Sequence, residues 1–362
     1  MAARGVTRGD FIHLDGSEGE GGGQILRTAL SASLITGRPF EIVRIRARRR
    51  PPGLRPQHLA CVRGAEAITG GVATSEGAAV GTDRLIFRPG PVKAGDYLLE
   101  IGTAGSAPLL LQCLFFPLAL AGGGTLTLRG GTHLPHSPAY HYLSWIWAPT
   151  MAAFGLIADL QLRYAGFYPK GAGEVVARIL PRREPPTRVD LPARGTLQEV
   201  HVTSFVAGLS SDIAERQARA ALALLRGRGI PSQVEKLPLP ATVAVGTTVF
   251  VRAQFEHTAA GFSALGARGR PAEEVGEDAA RQLAAFMETA GALDEHLADQ
   301  ILIPAALLAG GILGPLRGET RFSTSRVTDH LVTNARVLER FFEVAIAVDA
   351  ASGQVRVTPK QR

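Results

Sequence analysis

The chain has 362 residues, 46% of them hydrophobic, with 39 Lys+Arg against 32 Asp+Glu for a formal net charge of +7. That length and apolar content exclude a disordered polymer and leave room for two or three domains with sizeable cores. The basic balance favours an anionic partner, a nucleotide or a nucleic acid, and is silent on fold. Cys61 and Cys113, the two cysteines, lie in apolar helical stretches and read as buried reduced thiols; without a C-x-x-C, a cysteine-based zinc site is excluded. The N-terminus lacks the apolar core of a signal peptide. The longest apolar run, 107–121, is interrupted by Gln112 and Pro117 and is too short to span a bilayer, so a soluble cytoplasmic protein is expected.

In chain order, residues 11–14 read as a short strand. The loop DGSEGEGGG, 15–23, tolerates positive φ almost throughout. An amphipathic helix is expected over 24–36, stopped by Gly37 and Pro39. Residues 40–47 alternate and read as a strand, with Val43, Ile45 and Ala47 on one face and Arg44, Arg46 and then Arg48 on the other. Pro51, Pro52, Gly53 and Pro56 make a stiff loop of the next stretch. A guanidinium-lined face suits a polyanion, although a solvated edge strand has the same pattern. A second helix, 57–69, ends at Gly70 and Gly71.

The layout recurs. The glycine loop GTAGSAP, 102–108, leads into an apolar helix to Ala121, then a strand over 125–129 and a second helix near 140–154. A third copy runs 297–311, followed by a helix over 330–341 and a strand over 344–348. The first helices start near residues 24, 106 and 297, so the second step exceeds the first by a domain-sized length, which an inserted domain explains. The fold expected is α/β: three βα-rich repeats forming one large domain (1–185 and 292–362), with a small α/β insert over 186–291. The Pro/Arg-rich stretch 181–195 reads as the entry junction. Within the insert, a strand is expected over 199–206, a helix over 212–226, strands within 243–255 and a helix over 272–289.

The first glycine loop misses G-x-G-x-x-G at its last position, and the P-loop motif is absent from the sequence. A glycine loop feeding a helix N-terminus still offers backbone N–H groups to phosphate. Glu18 and Glu20 repel phosphate unless one of them holds a Mg²⁺ that the phosphates share. His133, His136 and His141 cluster beside prolines without an acidic partner, a weak zinc candidate. His330 opens a helix, where the positive end of the dipole suits a neutral, nucleophilic imidazole. A helix-start histidine without chemistry has the same signature. Asp299 and Gln300 sit in apolar company and suit either a bound ligand or a satisfied polar seam.

Together the stretches LDGSEGEGGGQILRTAL, IRARRRPPGLRPQHL, GTAGSAPLLLQ, GFYPKGAGEV, HLADQILIPAAL and HLVTNARVLERF resemble, in order and over nearly the whole chain, the RNA 3′-terminal phosphate cyclase family. The resemblance implies a large domain of three repeats and a thioredoxin-like insert. It also implies ATP-dependent conversion of an RNA 3′-phosphate into a 2′,3′-cyclic phosphate, with Mg²⁺ or Mn²⁺. On that reading His330 is adenylylated, AMP passes to the RNA phosphate, and the ribose 2′-OH closes the ring. The resemblance places Glu20 near the metal and Gln24, Arg27, Arg46, Arg49, Gln57 and Gln112 around phosphates, with Asp299 and Gln300 near the nucleotide's ribose or base. This sequence departs from the family pattern at Ala172, usually glycine, and at His133, commonly Asp, which puts the base pocket in question. Two other classes share much of the sequence pattern: a non-catalytic RNA-binding or ribosome-assembly relative, and an adenylyltransferase for 5′-phosphate ends.

Overall fold

A computed structural model of the chain describes residues 11–241 and 243–360. It is a mixed α/β structure of several small sheets. The first is built from β1 (Ile12–Asp15), α1 (Gln24–Thr36), β2 (Phe40–Val43), α2 (Pro56–Ala67), β3 (Thr74–Glu76) and β4 (Leu85–Arg88). Its strand order is β1-β2-β4-β3, with β1 and β2 parallel and the other neighbours antiparallel. The second contains β5 (Gly95–Glu100), α3 (Ala107–Leu120), β6 (Gly124–Gly130), α4 (Tyr140–Tyr142), a π-helical turn over Leu143–Trp147, α5 (Ala148–Ala152), β7 (Ala158–Tyr164) and β8 (Gly173–Ile179). Its order, β5-β6-β8-β7, has the same pairing senses.

The chain then passes through β9 (Arg188–Leu191) into β10 (Leu197–Ala207), α6 (Ser211–Gly227), β11 (Gln233–Pro238), β12 (Gly246–Phe255), β13 (Ala259–Leu265) and α7 (Ala272–Met287). A last group comprises α8 (Glu295–Gln300), α9 (Leu302–Ala309), β14 (Glu319–Ser323), α10 (Asp329–Phe341), β15 (Val344–Val348) and β16 (Gln354–Pro359). β9 pairs parallel with β14, giving a sheet β15-β16-β14-β9 whose pairing senses again match the first. The fourth sheet is β11-β10-β12-β13, and α6 and α7 pack against it over an apolar cluster that includes Val202, Val251, Ala279 and Leu283.

Local chemistry explains the helices that matter. α1 stops where Gly37 turns to φ 71° and its N–H reaches the Ser33 carbonyl. Ser106 caps α3 through its hydroxyl, and Thr328 caps α10 in the same way. On α10, Leu331, Asn334, Ala335, Leu338 and Phe341 form one buried stripe at helical spacing. α1 packs against α2, α3 and α10, so residues from distant parts of the chain meet at its N-terminus. The large core beneath these helices contains Trp147 edge-on to Phe115 at 4.8 Å between ring centroids.

The arginine strand expected over 40–47 is corrected: β2 ends at Val43. Arg44 and Arg46 both take φ 55°, in the left-handed region, which ends any extended run. The chain coils instead, with Ala47 N–H to Arg44 O at 3.1 Å and Arg49 N–H to Arg46 O at 2.9 Å. Buried Ile45 anchors the coil, its N–H on the Asp83 carbonyl at 2.9 Å. The guanidinium groups are therefore carried by a compact loop, not by a sheet face. The stretch read as a junction, 181–195, contains β9, whose pairing is with β14. Cys61 and Cys113 are buried and unbridged. Among the described residues, no helix is long and apolar enough to cross a membrane.

Candidate active site

The loop before α1 is held from both sides. Asp15 accepts from the Ser17 N–H and hydroxyl and pairs with Arg44, which pulls its carboxyl down to about 2; the Arg44 bond is the largest cause. Gly19 packs so closely on α10 that a Cβ there would lie 2.2 Å from Thr333 Oγ1. Arg48 donates to the Gly19 carbonyl at 2.8 Å. Gly23, at the start of α1, has His58 against it, with His58 Nε2 only 2.1 Å from where a Cβ would sit.

His330 lies in the first turn of α10, its side chain 37% exposed. Its Nε2 faces Glu20 Oε2 at 3.0 Å, and the same oxygen accepts from Arg49 Nη2 at 2.7 Å. Its Nδ1 bonds Gln24 Oε1. Both ring nitrogens thus face acceptors, and a ring carrying a proton on each satisfies both contacts. Gln24 turns its amide nitrogen to Asp299, 2.5 and 2.6 Å from the two carboxylate oxygens. Asn334 donates to Asp299 Oδ1 at 2.8 Å, Thr28 donates to Asn334 Oδ1 at 2.8 Å, and Gln300 donates to Asp299 Oδ2 at 3.3 Å. Burial pushes the Asp299 carboxyl above its ordinary value, against the charge of His330 and the Asn334 and Gln24 amide donors, which favour the carboxylate. Asp299 is buried with its carboxylate turned to amides, so it stands behind the ring; the resemblance places it beside a ribose or base.

A second group adjoins the first. His58 is 2% exposed and accepts from the Arg55 N–H through Nδ1 at 3.1 Å. Burial pushes its imidazole down to about 3, and the charges of Arg27, Arg46 and Arg55 act the same way. Those guanidinium groups converge on one place, as anion binding requires. Arg46 donates to the Pro51 and Gly53 carbonyls at 2.8 and 3.1 Å, and burial first, then Arg55 and Arg49, lowers its affinity for its proton. Gln57 Oε1 accepts weakly from the Ser106 N–H at 3.4 Å, tying α2 to the second glycine loop. Gln112 is buried on α3 and its amide nitrogen lacks a partner among the described residues.

The structure therefore joins Glu20, Gln24, Arg49, Asp299, Gln300 and His330 in one hydrogen-bonded network. It groups Arg27 and Arg46 around His58; among the described residues, neither Gln57 nor Gln112 hydrogen-bonds to the network. Sequence reasoning missed His58, Asn334 and Thr28. His58 stands inside the motif IRARRRPPGLRPQHL, and Asn334 lies one helical turn beyond His330, on the face that helical spacing makes adjacent. His133 and His141, read as a weak zinc candidate, bond each other at 3.1 Å; His133 also contacts the Thr132 hydroxyl and stacks on Phe167. His133 is 1% exposed, so it faces the interior.

Fold and site define an α/β protein with a histidine-centred, guanidinium-framed polar site at the junction of α1, α2 and α10. A family model described as RNA 3′-terminal phosphate cyclase matches residues 18–348. Among curated relatives, the chain is 43% identical over 358 residues to an RNA 3′-terminal phosphate cyclase of Methylococcus capsulatus, covering 96% of each. It is 40% identical to one of Ralstonia nicotianae, covering 94% of each. It is also 39% identical to one of Pyrobaculum neutrophilum, covering 94% of this chain and 95% of the relative. The chain belongs to the RNA 3′-terminal phosphate cyclase family.

Proposed function

We propose that this chain is an ATP-dependent RNA 3′-terminal phosphate cyclase that works through a covalent histidine–AMP intermediate at His330. One observation carries the mechanism: Gln24 occupies the Nδ1 side of the ring, so Nε2 is the nitrogen that faces Glu20 of the glycine loop, which Arg49 holds. Nε2 becomes a nucleophile once its proton has passed to the Glu20 carboxylate and Glu20 has turned away, leaving the Nε2 lone pair free. It then attacks the innermost phosphorus of ATP; the N–P bond forms as the bond to pyrophosphate breaks. Arg49, and Arg27 and Arg46 beside it, stabilise the charge that builds on phosphoryl oxygens without moving. An oxygen of the RNA 3′-phosphate next takes the adenylyl group, and the N–P electrons return to Nε2. The ribose 2′-OH finally attacks the 3′-phosphorus, losing its proton as AMP leaves. That step is intramolecular, so positioning is worth an effective molarity on the order of 10⁵ M or more.

The residues fit a hard divalent cation in a limited way. Glu18, Glu20 and Asp329 line one small cleft with His330. No group of three or more His, Cys, Asp or Glu among the described residues is poised to hold a metal. Mg²⁺ or Mn²⁺ would take Glu20 and fill its remaining positions with phosphate oxygens and water. Bound there, it would neutralise phosphate charge.

Three sheets of one strand order and one pairing pattern support the reading of three repeats forming a large domain. The β11-β10-β12-β13 sheet, with its own apolar cluster, supports a thioredoxin-like insert entered after β9 and left before α8. Incubation of the wild-type protein with ATP, divalent cation and RNA bearing a 3′-phosphate should yield RNA with a 2′,3′-cyclic phosphate, AMP and pyrophosphate. RNA recovered unchanged would sink the cyclase reading, and adenylylated 5′-phosphate ends as sole product would replace it.

A further inference from the structure

We propose that the loop carrying Tyr168 and Lys170 receives the RNA substrate on its way to the site, with a base stacked on the Tyr168 ring and a backbone phosphate at the Lys170 ammonium. The inference rests on the proposed cyclase activity and locates the RNA chain that this activity requires. The loop belongs to the stretch GFYPKGAGEV, which takes no part in the histidine network.

Strand directions put this loop on the working edge of the molecule. β5, β6 and β7 run parallel to one another, since β5 pairs parallel with β6 while β8 pairs antiparallel with both β6 and β7. The loops after β5 and β6 and the β7–β8 connection therefore leave the same edge of the second sheet. The corresponding edge of the first sheet carries the glycine loop and the arginine coil, and that of the third carries the turn into α10 and His330. Ligands of α/β sheets bind outside the carboxyl ends of their strands. The first two edges touch. A Cβ on Gly171 would lie 2.8 Å from the Ala104 Cα, and one on Gly105 would lie 2.9 Å from the Gln57 Cβ. From Tyr168 the path thus crosses residues 102–105 to Gln57, beside His58 and its guanidinium groups. Gly102 and Thr103, on that path, are exposed.

Two anchors hold the loop with its aromatic ring outside. Phe167 is buried, stacks on His133 with ring centroids 5.1 Å apart, and has Gly246 against it. Gly171, at φ 67°, donates its N–H to the Phe167 carbonyl at 2.7 Å and closes the loop. Between these anchors Tyr168 is 73% exposed, the most exposed large apolar side chain among the described residues. Lys170 is exposed too, and has no acidic partner among the described residues. An aromatic ring beside a free cation is the pairing that single-stranded RNA binds, bases on the ring and phosphates on the charge. Val245, also exposed, adjoins the loop through Gly246, and an apolar pair of this kind suits a protein contact as well. The lysine and the place on the working edge decide for RNA.

The test uses the full-length protein and a short single-stranded oligoribonucleotide with a 3′-phosphate and a 5′ fluorophore, without ATP, read by fluorescence anisotropy. Tyr168→Ala should raise Kd roughly 5- to 150-fold, and Tyr168→Phe, which keeps the ring, should bind like the wild type. Lys170→Gln should lower the slope of log Kd against log salt by about 0.7, one phosphate contact on a single strand. All three variants should take up AMP from ATP alone at the wild-type rate, because RNA plays no part in that step. A Kd unchanged in Tyr168→Ala, or raised as much in Tyr168→Phe, would overturn the proposal, as would slower AMP uptake in these variants. Self-association lost in Tyr168→Ala on sedimentation, with Kd intact, would overturn it too and assign the ring to a second copy of the chain. Wild-type protein that takes up no AMP, yet loses RNA on Tyr168→Ala, would strike the proposed function and leave this surface standing.

Discussion

Replacing Gly23 by alanine should separate packing from backbone effects at the site. Gly23 sits at φ −85° and ψ −2°, where alanine is at ease, so any cost is steric. The new methyl would lie 2.1 Å from His58 Nε2 and 2.9 Å from Arg27 Nη1. His58 cannot retreat cheaply, because it is buried and its Nδ1 accepts the Arg55 N–H. Swinging the ring out leaves that half-buried donor without His58, at up to about 1–3 kcal/mol. Overpacking the site adds about 1–3 kcal/mol. The sum, about 2–6 kcal/mol, should appear as a lower urea midpoint at unchanged slope. Displacement of Arg27 should also weaken ATP binding. Gly22→Ala is the internal control: its Cβ would approach nothing nearer than Arg49 Nη2 at 4.0 Å, so its stability should stay within about 0.5 kcal/mol of wild type. Equal stability of the two variants would refute the packing of His58 on Gly23.

Other outcomes rest on single positions. Gln112→Leu should raise the stability of the ligand-free protein by about 1 kcal/mol in urea denaturation, because it removes a buried amide nitrogen without a partner, and should lower activity; a destabilised variant would mean that the amide is satisfied. Ala172 holds φ 51°, in the left-handed region that favours glycine, so Ala172→Gly should relieve about 1–2 kcal/mol of strain, less about 0.4–1 kcal/mol of added unfolded-state freedom. Loss of stability in thermal melts would contradict that strain. His133 is pushed by burial from the ordinary 6.5 down to about 3, so between those values the unfolded chain binds a proton that the folded chain does not. Its contribution is full above pH 6.5 and lost as pH falls, by up to about 1.4 kcal/mol per unit. His133→Phe should flatten the wild-type slope by that amount; an unchanged slope would mean the ring is not held neutral.

Much of the fold was legible because its signals are local. α1, α3 and α10 each combine an apolar pattern with a glycine stop or a hydroxyl cap, and all three lie near their expected bounds. The sheets were read only in part. Strands such as β3, with three exposed or half-exposed residues, and β11, whose interior half-buried positions are few, carry almost no pattern, and partners several elements away define them. The arginine stretch misled because alternation of apolar and charged residues does not encode φ. Ile45 is buried as the alternation suggests, yet on a coil. At the site, chemistry-bearing residues were visible as motifs, but their roles depend on contacts between residues about 300 positions apart, such as Gln24 with His330. That is why Asn334 was not read at all.

The site of adenylylation bears most directly on the whole account. Wild-type protein incubated with α-labelled ATP and Mg²⁺ or Mn²⁺, digested and sequenced by mass spectrometry, should carry one acid-labile AMP on the peptide containing His330. Chase with RNA bearing a 3′-phosphate should remove it, and His330→Ala should take up none. A label on another peptide, or one that survives in His330→Ala, would contradict the role given to this imidazole.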